Sequence, residues 1–239
     1  MTTIALNLKA VLARIERSAR SAGRDPSEIV LLAVSKTFPA SCVEEAHRAG
    51  QRAFGESYVQ EGVRKITALE GLELEWHFIG PVQSNKTRAI AEHFHWVHSI
   101  EREKVAARLS AARPPHLPPL NVCIQVNVSG EPSKSGVAPG GELALAEAIA
   151  GLPGLRLRGL MAIPEPGSEP SPERAPYARL RQMKDALVAS GYALDTLSMG
   201  MSDDLETAVA EGATIVRVGT AIFGSRERAS ATGEAQQVS

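Results

Sequence analysis

The stretch IVLLAVSK (residues 29–36) decides the fold. Its first six residues are apolar throughout, as expected for a parallel strand that is covered on both faces. The stretch ends in Ser-Lys, Thr37 follows, and the next glycine is Gly50. An open doubly wound sheet usually carries a glycine-rich turn after its first strand. The sequence therefore favours a closed barrel, with the open sheet as the alternative.

The rest of the chain repeats this strand in alternation with helices. Eight β/α repeats in a chain of 239 residues match the size and order of a (β/α)8 TIM barrel. We therefore predict a single α/β barrel. The predicted strands are 29–36, 52–56, 75–80, 95–100, 121–128, 155–163, 196–202 and 214–220, and the helical stretches are 40–49, 57–70, 85–93, 101–111, 140–150, 173–190 and 203–211.

Three segments lie outside the repeat. An extra N-terminal helix is predicted before Gly23, because apolar residues recur at helical spacing. Residues 164–176 are rich in Pro, Glu and Ser and predict a long loop after the sixth strand. Residues 226–239 are polar and predict a disordered tail, so the barrel domain is expected to span residues 1–225. The apolar positions of the N-terminal helix are Ile4, Leu8, Val11, Leu12 and Ile15.

Composition excludes several classes of function. The 26 basic and 27 acidic residues balance to a net charge of −1, which argues against a nucleic-acid partner. Cys42 and Cys123 are too few for a disulfide framework, and no metal-binding motif is present. No apolar run approaches the roughly 20 residues that span a bilayer. We expect a soluble protein of the reducing cytoplasm, with no membrane partner and no metal.

Three features converge at the carboxyl ends of the predicted strands, where barrel enzymes place their sites. Lys36 follows the first strand, and a desolvated lysine can form a Schiff base. The loops SMGMSDD (198–204) and VRVGTAIFG (216–224) occupy the usual phosphate corner, where Gly200 and Gly219 allow close approach to an anion. Arg217 lies in the barrel mouth. A Schiff-base lysine, a phosphate corner and an arginine together fit pyridoxal 5′-phosphate (PLP).

Each feature also has a structural explanation. Lys36 could be a solvated lysine whose aliphatic stem lies on the strand end. The two glycines could serve turns alone. Arg217 could be paired with a structural carboxylate, because a buried arginine needs an acceptor.

Motifs along the chain resemble those of the pyridoxal phosphate homeostasis proteins, a family related to the barrel domain of alanine racemase. The resemblance implies an alanine racemase N-terminal-domain-like barrel that carries PLP on a lysine. The matching segments are AVSKTFP (33–39), FGESYVQEG (54–62), WHFIGPVQSNK (76–86), VHSIEREK (97–104), QVNVSGEPSKSG (125–136), GLMAIP (159–164), LSMGMSDD (197–204) and VRVGTAIFG (216–224).

The resemblance also implies roles for individual residues. Lys36 would form the Schiff base, and Arg217 would face the pyridine nitrogen. The family usually has asparagine at the position of Ser57, so a hydrogen bond near the cofactor is expected to be lost or bridged by water. The phosphate would be held by Ser202, Gly219 and Thr220, and the further candidate cofactor-binding residues are Asn85, Met161, Ser198 and His77.

The family implies a PLP carrier or buffer in intracellular PLP homeostasis, without robust turnover and without catalytic residues. An arginine can only donate, so it keeps the ring nitrogen unprotonated and the ring a weak electron sink. The alternatives are an amino-acid racemase, for which Tyr177 is a conceivable second base, and a cofactor-free Schiff-base aldolase. A monomer is expected, and PLP-dependent apo-enzymes are candidate partners.

Overall fold

The computed structural model describes residues 2–129, 135–164 and 174–225. Eight parallel strands form a closed barrel in chain order, and β8 pairs with β1 to complete it. The predicted (β/α)8 barrel is therefore confirmed. The strands are β1 (Val30–Val34), β2 (Ala53–Glu56), β3 (Glu75–Phe78), β4 (Trp96–Ile100), β5 (Leu120–Gln125), β6 (Leu155–Met161), β7 (Thr196–Ser198) and β8 (Ile215–Val218).

Helices follow the strands and cover the outside of the barrel. The predicted N-terminal helix is present and packs against the second, eighth and ninth helices. The helices are α1 (Thr3–Ser21), α2 (Ala40–Arg48), α3 (Val59–Ala68), α4 (Thr87–His93), α5 (Glu103–Ala112), α6 (Glu142–Ala150), α7 (Arg174–Ala189), α8 (Leu205–Ala210) and α9 (Thr220–Phe223), with a short 3-10 turn at Pro26–Glu28.

Two sequence-based details need correction. Leu12 is 46% exposed, because it lies at the edge of the stripe on α1 that Leu8, Val11 and Ile15 bury. The first, third, fifth, sixth, seventh and eighth strands end before the predicted residue. The seventh ends at Ser198 because Gly200 takes a φ of +92°, which a strand cannot accommodate.

The period of two along each strand separates two kinds of environment. Trp76, Phe78 and Val97 pack between the strands and the helices. Alternate residues point into the barrel, where Leu32 contacts Ala53 and Ile215 in one cluster. A second interior cluster consists of Trp96, Cys123 and Met161. The same inward register carries polar side chains, namely His77, His98, Ser198 and Arg217.

Parts of two predicted segments lie outside the described residues. These parts are residues 165–173 of the predicted loop and the whole predicted tail, 226–239. Among the helices that the structure describes, none has the length and apolarity needed to cross a membrane.

Candidate functional site

A cavity of about 540 Å³ opens at the carboxyl ends of the strands. It brings together most of the residues that the sequence singles out, from the strands β6 and β8 and from the loops after β1, β7 and β8. Ser57, which replaces the usual asparagine, also lines it. The predicted site residues in its wall are Lys36, Met161, Ser202, Arg217, Gly219 and Thr220.

Sequence reasoning missed the apolar part of this wall. Phe38, Ile79 and Ile163 line the cavity on the loops after three different strands. In the sequence these three residues follow strands whose core residues are also apolar. Nothing in the pattern therefore distinguishes them as cavity residues. Asp203 also lines the cavity, so one carboxylate lies at the predicted phosphate corner.

Lys36 lies two residues after the end of β1, and contacts to its neighbours in the chain fix its backbone. The Ser35 hydroxyl donates to Glu56 Oε1 at 2.6 Å, and Lys65 Nζ donates to the Ser35 carbonyl at 2.7 Å. The Thr37 amide donates to Glu61 Oε1 at 2.6 Å. Thr37 has a φ of +70°, in the left-handed region that β-branched residues avoid. The contacts on both sides of Lys36 hold this strained turn.

Glu56, Glu61 and Lys65 form one ionic group, which we call the Glu56 cluster. Lys65 Nζ lies 2.8 Å from Glu56 Oε1 and 2.6 Å from Glu61 Oε1. The side chains of Lys65 and Glu56 are 6% and 0% exposed. Burial raises the pKa of the Glu56 carboxyl, and the neighbouring Lys65 ammonium opposes this effect. The cluster is therefore a buried charged support beneath Lys36.

Arg217 is held by neutral groups. Its Nη1 donates to the Ser198 carbonyl at 2.7 Å and the Ser198 hydroxyl at 2.8 Å, and its Nη2 donates to the Ala162 carbonyl at 2.8 Å. Burial lowers the pKa of this guanidinium to about 10, so it stays protonated at neutral pH. In the described part of the chain no carboxylate forms an ion pair with Arg217. The alternative that Arg217 is paired with a structural carboxylate therefore finds no support in that part of the chain.

The loops after β7 and β8 form the predicted phosphate corner. Thr220 and Ala221 begin α9, so their amides have no acceptor within the helix. Arg14 of α1 donates to the Ser202 carbonyl and holds this loop. A Cβ at Gly200 would lie 2.5 Å from the Ala208 Cβ, so contact with α8 explains this glycine.

The predicted helical stretch 203–211 included Asp204, but this residue lies just before α8, and its carboxylate accepts from the Met201 amide and the Tyr177 hydroxyl. Tyr177 is 1% exposed. The chain's three tyrosines, at 58, 177 and 192, are all described, and the cavity wall includes none of them. The Tyr177 hydroxyl is therefore engaged by Asp204, whereas a racemase base would have to face the cavity.

Ser198 and His77 lie behind the cavity wall. His77 Nδ1 is 2.9 Å from His98 Nε2, and His98 Nδ1 is 2.7 Å from the Ser198 hydroxyl. Burial lowers the pKa of both histidines, and it lowers that of His98 to well below the ordinary value. His98 was missed, although its inward register in the predicted fourth strand marks it as a buried polar group. Asn85 lies in an exposed turn before α4 and outside the cavity wall.

Within residues 2–129, 135–164 and 174–225, no three His, Cys, Asp or Glu side chains are grouped so that they could hold a metal ion.

Comparisons with known proteins agree with this architecture. The family model described as "Alanine racemase, N-terminal domain" matches residues 6–227. The structure also resembles an alanine racemase from Clostridium difficile, with a TM-score of 0.73 at 14% identity, over 93% of this chain and 58% of that chain. That likeness concerns the fold alone.

More similar relatives share most of their length with this chain. A pyridoxal phosphate homeostasis protein of Pseudomonas aeruginosa is 63% identical, over 95% of this chain and 97% of the relative. One of Escherichia coli is 55% identical, over 95% and 98%. The structure of PipY from Synechococcus elongatus with PLP bound has a TM-score of 0.78 at 38% identity, over 89% of this chain and 100% of that chain. The chain belongs to the alanine racemase N-terminal domain family, and within it to the pyridoxal phosphate homeostasis proteins.

Proposed function

We propose that this protein binds PLP through a Schiff base with Lys36 and acts in intracellular PLP homeostasis as a carrier or buffer without robust turnover. The observation that carries the proposal is one cavity that joins Lys36, the loops after β7 and β8, and a protonated arginine that forms no ion pair with a carboxylate of the described residues. We assign this function to the barrel, residues 1–225. It acts as a cytoplasmic monomer, and PLP-dependent apo-enzymes are its recipients.

The residues present fit the cofactor. Arg217 uses three of its N–H groups on protein acceptors, and it has five. Because Arg217 also lines the cavity, the remaining donors suit an acceptor such as a pyridine nitrogen. Ser202, Gly219 and Thr220 would hold the phosphate, and Met161, which lines the same cavity, would lie near the cofactor. Ser198 and His77 act through Arg217, and Asn85 would act from the turn before α4.

The retained proton of Arg217 decides the chemistry. When bound, PLP supplies an aldehyde that a lysine amine captures reversibly and a ring that can withdraw electrons. With a pKa of about 10, the guanidinium keeps its proton at neutral pH, and it would offer a hydrogen bond to the ring nitrogen without giving the proton up. Phe38, Ile79 and Ile163 give the cavity that Lys36 lines an apolar part of its wall. These residues favour holding the cofactor over broad carbanion chemistry.

The test is the ultraviolet–visible spectrum of the purified protein before and after addition of PLP. We expect a Schiff-base band in the wild type and none in Lys36→Ala. Lys104→Ala, which changes an exposed lysine of α5, is the matched control and should retain the band. Circular dichroism of each variant checks the fold.

Two outcomes would overturn the proposal. An unchanged band in Lys36→Ala would remove this residue from its role, and no band with excess PLP would favour a cofactor-free aldolase. Incubation of the loaded protein with L-alanine, followed by chiral analysis, tests the racemase alternative. Substantial D-alanine would replace the carrier function with racemisation.

A further inference from the structure

A continuous line of polar contacts crosses the barrel interior from its amino end to the cavity. Glu75 Oε1 lies 2.8 Å from His77 Nε2, although off the axis of a well-directed hydrogen bond. His77 contacts His98, His98 contacts the Ser198 hydroxyl, and Arg217 donates to that hydroxyl. We call these five residues the barrel relay. It joins a half-exposed carboxylate to a guanidinium in the cavity wall.

The chemistry of the groups determines the direction of each hydrogen bond. The contact with His77 lowers the pKa of Glu75, so this carboxylate is ionised and can only accept. His77 therefore carries its hydrogen on Nε2, and because burial keeps the ring neutral, Nδ1 is an acceptor. His98 must then donate from Nε2, which leaves its Nδ1 as an acceptor for the Ser198 hydroxyl.

The other end of the barrel relay requires the same order. Arginine has no acceptor, so Arg217 must donate to the Ser198 oxygen. Ser198 has one hydroxyl hydrogen, and His98 Nδ1 receives it. Every hydrogen bond thus runs from the cation at Arg217 towards His77, and the close contact between His77 and Glu75 continues in the same direction. Bonds aligned in one direction polarise and strengthen one another in a low-dielectric interior.

Packing holds the His77 ring of the barrel relay in place. His77 stacks on Trp96, with ring centroids 5.3 Å apart and planes 6° apart. Arg158 in turn lies over the Trp96 ring at 4.8 Å. A stacked ring cannot turn over without moving Trp96, so the tautomers and not the ring orientations are left to set the donor order.

We propose that Glu75, His77, His98 and Ser198 are positioning residues that hold the Ser198 hydroxyl as an acceptor for Arg217 and so aim the remaining guanidinium donors into the cavity. The inference rests on the proposed function, in which those donors meet the pyridine nitrogen. Buried polar networks also serve fold specificity alone. The barrel relay differs because it ends on a side chain that lines the cavity.

The first experiment reads the tautomers in protein without cofactor. Long-range proton–nitrogen NMR correlation of ¹⁵N-histidine-labelled protein at neutral pH should show His77 and His98 neutral with hydrogen on Nε2. Glu75→Gln, which can donate as well as accept, should give a mixture of tautomers. Glu73→Gln, an exposed carboxylate two residues away, should give the wild-type pattern. An Nδ1–H tautomer or a cationic ring in the wild type would overturn the proposal.

The second experiment measures PLP affinity by titration of the Schiff-base band. Ser198→Ala removes an acceptor of a charged donor, so we expect about tenfold weaker binding and a shifted band maximum. Ser99→Ala, which removes a buried hydroxyl that donates to the Gly80 carbonyl, should change the affinity less than about twofold. Equal losses in the two variants would overturn the positioning role.

The two failures can be told apart. A wild-type band with unchanged affinity in Ser198→Ala and Glu75→Gln would overturn the barrel relay and leave the proposed function intact. Absence of a band in the wild type would overturn the proposed function, while the tautomers would still decide whether the donor order exists. Glu75 is half-exposed, so Glu75→Gln keeps the test valid if Ser198→Ala fails to fold.

Discussion

Lys36 and Arg217 line one cavity, but the protein supports them in different ways. On the Lys36 side the support is charged, because Lys65 and Glu61 contact the backbone on either side of the lysine and Glu56 accepts from the Ser35 hydroxyl. On the Arg217 side the support is neutral, and it consists of carbonyls, a serine hydroxyl and two histidines. Fixing the backbone leaves a lysine side chain able to react. Fixing one edge of a planar guanidinium leaves its other edge to donate.

This difference has a consequence for stability. Charged groups in the interior carry a large desolvation penalty that their mutual attraction must offset, so loss of one partner exposes the full penalty. Removal of a neutral group lowers the stability less. Histidines that burial keeps neutral nevertheless make the fold sensitive to acid, because the unfolded chain takes up protons that the folded chain does not. The following predictions test this contrast, in order of expected effect.

The largest effect is expected for Lys65→Met. It leaves Glu56 and Glu61 without their cation in a buried setting, which should lower the free energy of unfolding by about 3–5 kcal/mol. Urea unfolding followed by circular dichroism measures this loss. Lys104→Met, on the exposed surface of α5, should change it by less than about 0.5 kcal/mol.

A double variant tests whether the loss of stability in Lys65→Met comes from the unpaired Glu56 carboxylate. Burial already raises the pKa of Glu56, so a neutral amide in its place is expected to restore part of the lost stability. We expect Lys65→Met combined with Glu56→Gln to be more stable than Lys65→Met alone. A loss for Lys65→Met no larger than that for Lys104→Met would contradict a charged support.

An intermediate effect is expected for acid on the Arg217 side. Burial holds the folded-state pKa of His98 well below the ordinary 6.5, so only the unfolded chain gains a proton here as the pH falls. This contribution to stability is present above pH 6.5 and is lost below it. Between pH 7.5 and 5.5 it should amount to about 1 kcal/mol.

Urea unfolding at the two pH values tests this in matched variants. His98→Gln should show a smaller loss on acidification than the wild type, because it no longer has the titrating ring. His116→Gln, which changes an exposed histidine, should retain the wild-type loss. The same acid dependence in His98→Gln and the wild type would show that His98 is not the buried neutral group.

The smallest effect is expected at the strained turn after Lys36. Thr37→Gly removes the cost of a β-branched residue at a φ of +70°, offset in part by the greater freedom of glycine in the unfolded chain. We expect a gain of up to about 1 kcal/mol. Thr67→Gly, in regular helix α3, should instead lose about 0.5–1 kcal/mol. If both variants lost stability equally, the turn would not be strained.

The order of strands and helices could be predicted because it depends on local patterns. The apolar run before Lys36, and the seven runs of β-forming residues that follow it, each specify a strand through residues next to one another in the chain. Strand ends were less predictable, since the left-handed φ of Thr37 and Gly200 depends on contacts with Glu61 and Ala208. These partners lie on helices that the chain reaches only later.

By itself the sequence determined that the chain forms a barrel, and it marked Lys36, Arg217 and the two glycine-bearing loops as neighbours at one end of it. Only the tertiary structure decided how the two cations are supported. Glu75, His98 and Ser198 lie on three strands far apart in the chain, and Lys65 lies on a helix. Their contacts arise when the barrel closes, because closure brings inward side chains from distant strands within hydrogen-bonding distance.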